Sequence, residues 1–475
     1  MKTTTFLNAL FVFLLSIFSV TSPLVNAALP PENNLFNEQT FAIKNVNIHT
    51  MVKGKEALIN TNIVIKNKKI VSIAEPIPDN ILVIDGRGKW LIPGLIDMHV
   101  HGVADFNFGE DELNRETNLF FDTQDVMTPY IANGVTTIFD LDARPENFAQ
   151  RNEIKKGNVI GPRIALAKFI DGGEGINKVN SPVEGRLAVR LAKFDGYGFI
   201  KVYSFLNIAT YEAIIDEAQQ LGMKVVGHIP ISFKTRINDA FIPHFGMIAH
   251  AEELARWAKK NTDEEALRLA TLVKNNNTWV TPTLTVMDWI TKQARTLDDI
   301  KQLSSLKYLH PIFQDKWINN NSYQSSPEFI AHVDRIADFN KKLVRALKSL
   351  DVPIVLGTDA MVSGVMPGFS VHDELKLLVE AGLTPKEALN SATNLAAQWL
   401  GIHKTSGTIE VNKIADLILL NSNPFIDISN TTDIYGVAVN GRWLSDKIID
   451  SMLKNLAAKN KQSQGKYEWG KRAAY

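Results

Sequence analysis

Between residues 95 and 359 this chain repeats one alternation. Short apolar runs, bounded by turn residues, alternate with stretches of helical periodicity. The runs are Leu95–Val100, Gly134–Asp140 (GVTTIFD), Arg163–Ala167 (RIALA), Gly198–Phe205 (GFIKVYSF), Lys224–His228 (KVVGH), Met247–His250 (MIAH), Thr278–Pro282 (TWVTP) and Pro353–Asp359 (PIVLGTD). Helical stretches between and after them include Tyr211–Leu221, Asp263–Lys274 and Phe369–Glu380. Near-continuous apolar strands separated by helices suit a parallel sheet buried on both faces. About eight βα units predict a parallel (β/α)8 TIM barrel, whose chemistry belongs at the C-terminal ends of its strands.

The flanks have a different texture. Phe41–Val83 carries short runs of Val, Ile and Asn, such as NIVIKNKKIVSIAE. The same pattern returns at Gly407–Pro424 and at Tyr435–Leu444, where Asn440-Gly441 is a hairpin signal. Two β segments at opposite ends of a chain can pair into one small sheet domain. The expected organisation is residues 28–92 and 405–446 as a β-sandwich and 93–404 as the barrel. Within the barrel, 304–350 reads as a lid or outer wall. Residues 447–475 read as a charged tail of weak periodicity, expected to end in disorder.

The first residues, MKTTTFLNALFVFLLSIFSVTSPLVNA, have a charged Lys2, an apolar stretch from Phe6 to Val20, and a small-residue cleavage site at Val25-Asn26-Ala27. They read as a signal peptide over residues 1–27 and predict a secreted or periplasmic protein with no membrane association after cleavage. Lys+Arg and Asp+Glu both number 51, so the totals give no basic excess and argue against a nucleic-acid partner. With no cysteine in the chain, any metal must be held by His, carboxylate or a modified side chain.

The candidate chemistry lies at the ends of the predicted strands. In Leu91–Gly102, LIPGLIDMHVHG, His99 and His101 are two residues apart. On a strand they share a face, a geometry that brings two nitrogens to one metal ion or, by itself, serves a purely structural pair. Asp97 shares that face and is placed to orient them. His228, His250 and Asp359 end later strands. Lys201 lies inside the apolar run FIKVY. Burial lowers a lysine pKa and yields a neutral amine able to take up carbon dioxide; the alternative is a lysine that snorkels to water. Tyr203 shares the Lys201 face and either reaches substrate or packs as a core tyrosine.

The motifs PGLIDMHVHG, IKVYS, VVGHIP, IAHAEEL, LGTDA and GTIEVNKIADLILLNSNPF, in this order, resemble the metal-dependent amidohydrolase superfamily. The resemblance is to its imidazolonepropionase-like and prolidase-like secreted branch and spans Phe41 to Leu444. It implies a β-sandwich, built from both chain ends, beside a (β/α)8 barrel. It implies that His99, His101 and Asp359 bind one divalent ion and that His228 and His250 bind a second. A carbamate on Lys201 and a hydroxide would bridge the two, with zinc best suited to the ligand set. Asp359 would act as general base and acid. His372, in a segment resembling SxHxEL, would join Tyr203 at the substrate. Two departures stand out: Phe139-Asp140 replaces a usual Arg-Asp, and Asn412 replaces a usual Gly.

These residues predict an exported two-ion hydrolase that cleaves an amide or peptide C–N bond in a small molecule such as a dipeptide or N-acyl amino acid. The alternatives are a one-ion cyclic-amide hydrolase or deaminase with Lys201 unmodified, and a non-catalytic binding protein on a hydrolase scaffold. A homo-oligomer stays open.

Overall fold

Seven strands lie side by side, all parallel and in chain order: Leu95–Val100, Val135–Asp140, Arg163–Ile170, Phe199–Val202, Lys224–Gly227, Phe245–Ala249 and Trp279–Thr281. They belong to a computed structural model that describes residues 39–102, 106–107, 118–175, 178–323 and 326–474. The signal-peptide segment 1–27 lies outside the described residues. The ring closes through residues 353–360, which bridge in parallel from Ile354 to Val280 and from Ala360 to Val100. Met98 N donates to Leu356 O at 2.9 Å and Asp359 N to His99 O at 2.7 Å. Eight parallel positions thus form the barrel. The eighth departs from a regular strand because Asp359 and Met361 take φ of 61° and 87°, which breaks the pleat.

Two glycines permit close approaches inside the barrel. Gly227 has φ 153°, and a Cβ there would sit 2.0 Å from Val202 O, so only glycine lets the fifth strand run against the fourth just before His228. A Cβ on Gly357 would meet Thr281 Oγ1 at 2.4 Å and His99 Cβ at 2.8 Å.

The second sheet is mixed and draws on both chain ends. Its order is Arg442–Ser445, Ile434–Val439, Leu417–Leu420, Trp90–Pro93, Phe41–Ile48, Leu58–Lys66 and Lys69–Ile73, with Leu82–Asp85 also pairing Phe41–Ile48. Its core includes Phe41, Ile43, Ile63, Ile65, Leu417 and Leu419; full burial of each contributes about 1.5–3 kcal/mol. Asn440 and Gly441 turn the last hairpin at φ 50° and 75°, as their pair signalled. Trp90–Pro93 leads through Gly94 straight into the first barrel strand. The Arg163 guanidinium, 3.2 Å from Asp416, ties that junction across the two sheets.

The second half of the 304–350 segment is wall. Helix Pro327–Ser349 is capped by Ser326 and buries Val333, Ile336, Phe339, Leu343 and Leu347. Their spacing of three and four residues is one helical face, and it packs on helices Asp263–Asn275 and Leu284–Gln293. The tail, expected to end in disorder, is a helix, Asp446–Ser463, followed by a 3-10 turn at Trp469–Ala474. The Ser445 side chain caps the helix, which packs on Thr123–Ala132. Its buried positions are few, Ile449, Leu456 and Asn460, so the apolar stripe is too sparse to read among the charges. No described helix is long and apolar enough to cross a membrane.

Candidate metal centre

At the C-terminal rim of the barrel the first and last strand positions converge. His99 ends its strand fully buried, and His101, two residues on, is partly exposed. His99 Nε2 lies 3.1 Å and His101 Nε2 2.8 Å from Asp359 Oδ1. Ligand atoms of these three residues all fall within 4.8 Å of one another. His99 Nε2 and Asp359 Oδ1 are buried and lack a hydrogen bond of good geometry. Unsatisfied buried polar atoms are costly, and these aim at a common point. Two imidazole nitrogens and a carboxylate oxygen form a donor set that suits a divalent transition ion such as zinc.

The electrostatics fit that use. Burial drives His99 well below the usual imidazole range, which keeps it neutral as a ligand must be. Burial also opposes charge on His101, but the Asp359 carboxylate outweighs it and raises that imidazole. Burial works against the Asp359 anion; His99, His101 and His250 overcome it and hold the carboxyl well below the carboxylate range. Asp97 has another task than orienting the imidazole rings. It accepts from His99 N at 3.2 Å and from Thr358 N and Oγ1 at 2.9 and 2.6 Å, and so pins the first strand to the last. Burial raises its carboxyl to about 7.

The expected second ion and its carbamate bridge are corrected by this geometry. Among the described residues, His99, His101 and Asp359 are the one group of three whose ligand atoms converge. His228 and His250 reach the same rim but are held by protein. His228 Nδ1 lies 2.9 Å from Ser204 Oγ and 3.1 Å from Glu253 Oε1. His250 Nδ1 lies 2.8 Å from Thr283 Oγ1 and 3.9 Å from Asp359 Oδ2. Burial lowers His250 to about 3 and takes His228 well below its ordinary value. Lys201 is buried on the fourth strand, opposite Val226 and Phe169, and burial lowers it to about 8. The strand-end pattern revealed residue types but not the hydroxyls of Ser204 and Thr283, which hold the two rings at Nδ1. Among the described residues the ligand atoms thus converge at one point, that of His99, His101 and Asp359.

Of the two expected substrate contacts, Tyr203 is at the rim, its ring 4.0 Å from that of His228. The Nδ1 of His372 lies 3.0 Å from Thr431 Oγ1, where helix Ser370–Glu380 packs on the turn Ile428–Thr432. Glu253 is a site residue whose role the motif IAHAEEL does not reveal by itself. It is fully buried, accepts from Ile229 N at 3.0 Å, pairs with Arg256, and faces His228. Burial raises it to about 7. Its position three residues after His250 in IAHAEEL was the available signal.

Residues 90–444 match the Amidohydrolase family. The 5-methylthioadenosine/S-adenosylhomocysteine deaminase of Caldanaerobacter subterraneus subsp. tengcongensis is 24% identical over 457 residues, spanning 85% of this chain and 93% of that protein. Imidazolonepropionase of Pseudomonas syringae pv. tomato is 39% identical over 77 residues, 16% of this chain and 19% of that protein. A Xaa-Pro dipeptidase structure with methionine in its active site superposes with a TM-score of 0.65 at 22% identity, covering 86% of this chain and all of that one, a likeness of fold. The chain belongs to the amidohydrolase family and is a metal-dependent hydrolase acting on carbon–nitrogen bonds.

Proposed function

We propose that the protein is a one-ion amidohydrolase that deaminates an amino-substituted heteroaromatic ring. The observation that carries this reading is the single convergent cluster of His99, His101 and Asp359. The full-length relative named as a deaminase supports it. A second reading, opening of a cyclic amide ring at the same centre, draws on the local match to imidazolonepropionase.

His99, His101 and Asp359 would hold the ion, which supplies Lewis acidity and a water acidified toward neutral pH. Asp359 takes a proton of the attacking water as the C–O bond forms and delivers it to the amino nitrogen, after which the C–N bond breaks and ammonia leaves. His228 is fixed from its Nδ1 side by Ser204 and Glu253, and its buried Nε2 has no protein partner and is left to meet the substrate. Thr283 fixes His250 in the same way. Lys201 stays an unmodified amine; burial lowers it to about 8, against the opposing pull of the Asp359 and Glu253 carboxylates. The leader-like first residues support a location outside the cytoplasm, which N-terminal sequencing of the exported protein checks.

The test is metal analysis together with ammonia release from adenine, cytosine and their nucleosides, with hydantoin and dihydrouracil as cyclic amides. One ion per chain with ammonia release is the expected result. Two ions with a carbamate mass on Lys201, or no turnover of any of these compounds, overturns the reading.

A further inference from the structure

The family match ends at residue 444, yet the next thirty residues help to build the cleft over the metal centre. A cavity of about 370 Å³ contains His101 and is bounded by Arg144, Tyr323, Met361 and Trp469. A neighbouring cavity of about 320 Å³ is bounded by Phe121, Tyr308, Met366 and, from the last helix, Leu456 and Lys459. Met361 and Phe313 line both. Met361 is two residues beyond Asp359, so this common wall begins beside the reacting centre.

The C-terminal segment is firmly seated. Lys459 Nζ lies 3.1 Å from Asp122 and 3.0 Å from Asp125, so its single positive charge engages both acidic side chains among the described lining of the outer cavity and offsets one of them. Asn460 Nδ2 donates to Lys307 O at 3.0 Å. Trp469 N donates to Asp315 Oδ2 at 2.7 Å, and the Lys316 ammonium lies 4.7 Å from the indole centroid. The outer walls are aromatic: Phe121 and Phe313 stack at 5.6 Å, and Tyr308 stacks on Phe369 at 5.5 Å. Aromatic walls, with both carboxylates engaged by Lys459, favour an aromatic or apolar guest over an anion.

We propose that the segment Asp446–Ala474 turns the single-ion cleft into a two-compartment site, whose outer compartment takes an aromatic arm of the substrate past Met361 and Phe313. Trp469 walls the inner compartment and the last helix walls the outer one. The substrate is accordingly a ring with an aromatic substituent on the side away from the carbon that is attacked. This rests on the metal centre proposed above as the place of reaction.

Binding of 4-phenylbutan-1-ol to the metal-loaded full chain, followed by calorimetry, reads the outer compartment without any chemistry. The same measurement on Leu456→Asp, Trp469→Ala and a chain ending at Lys466, each checked for metal content and circular dichroism, completes the test. Saturable binding that weakens at least tenfold in Leu456→Asp is the expected result. So is a preference of at least tenfold in kcat/KM for 9-benzyladenine over adenine that falls below threefold in Trp469→Ala and in the shortened chain. Absent binding, or binding and preference unaffected by all three variants, overturns the proposal. Arm binding that depends on Leu456, with no ammonia released from either purine, leaves the compartment standing and removes the deaminase reading instead.

Discussion

The barrel rim and the mixed sheet both contain residues in the left-handed region of the backbone map, but they use different residues there. In the sheet these positions fall mostly on asparagine: Asn45, Asn60, Asn67, Asn80, Asn412 and Asn440. Asparagine tolerates that region because its short amide satisfies the local backbone. At the rim the same region holds His250, Thr283, Asp359 and Met361, with φ of 76°, 48°, 61° and 87°. Asp359 and His250 are of types enriched there, whereas β-branched Thr283 and bulky Met361 are not. The sheet relieves its strain through residue choice. The rim holds strained residues in place through packing and hydrogen bonds, and so aims side chains at one point.

The largest break in this contrast comes from Asp359. Asp359→Asn keeps a residue tolerant of the left-handed conformation but removes the charge and the proton acceptor. Turnover falls by about 100- to 10,000-fold, and metal analysis shows bound ion lost while the fold, read by circular dichroism, persists. Full activity in this variant would remove Asp359 from the chemistry. Glu253→Gln comes next. It loosens the support of His228 without touching the three ligands, so kcat falls by about 10- to 100-fold and metal content stays at that of the wild type; loss of the ion instead would place His228 among its ligands.

Glu374 tests how the rim is held. Its carboxylate accepts from Leu284 N at 3.0 Å and from Thr285 N and Oγ1 at 2.8 and 2.6 Å, immediately after strained Thr283. Burial raises this carboxyl from 4.5 to about 7, against the pull of those hydrogen bonds. A group whose pKa is higher in the folded state contributes stability that is complete below the unfolded value and is lost as pH rises through the folded one. From pH 4.5 to about 7 the wild type therefore loses stability relative to Glu374→Gln, by on the order of 3 kcal/mol. Urea midpoints of the two proteins across that window measure it, and parallel curves would show that Glu374 does not titrate there. The smallest effect belongs to the sheet: Asn412→Ala costs about 1 kcal/mol and leaves turnover unchanged.

Much of the architecture was legible. Eight apolar runs located the barrel positions because strands buried on both faces must be apolar throughout. The Asn440-Gly441 hairpin was legible for a local reason, its turn geometry. The helix Asp446–Ser463 was not, since most of its surface is charged and its few buried side chains depend on a partner helix far away in sequence. At the site, residue types were readable and pairings were not. Ser204 and Thr283 look like ordinary hydroxyls in the sequence, and Glu253 like a helix-start charge.

By itself the sequence determined the alternation that makes a barrel, the β texture of the two ends, and the presence of imidazoles and a carboxylate at strand ends. Local periodicity and turn chemistry suffice for those. Only the tertiary structure decided that His99, His101 and Asp359 converge on one point while His228 and His250 are tied to hydroxyls, and that the last residues of the chain wall the cleft. Those outcomes depend on ring closure, which brings residue 359 against residue 99 and sets the direction of each side chain to within a hydrogen bond.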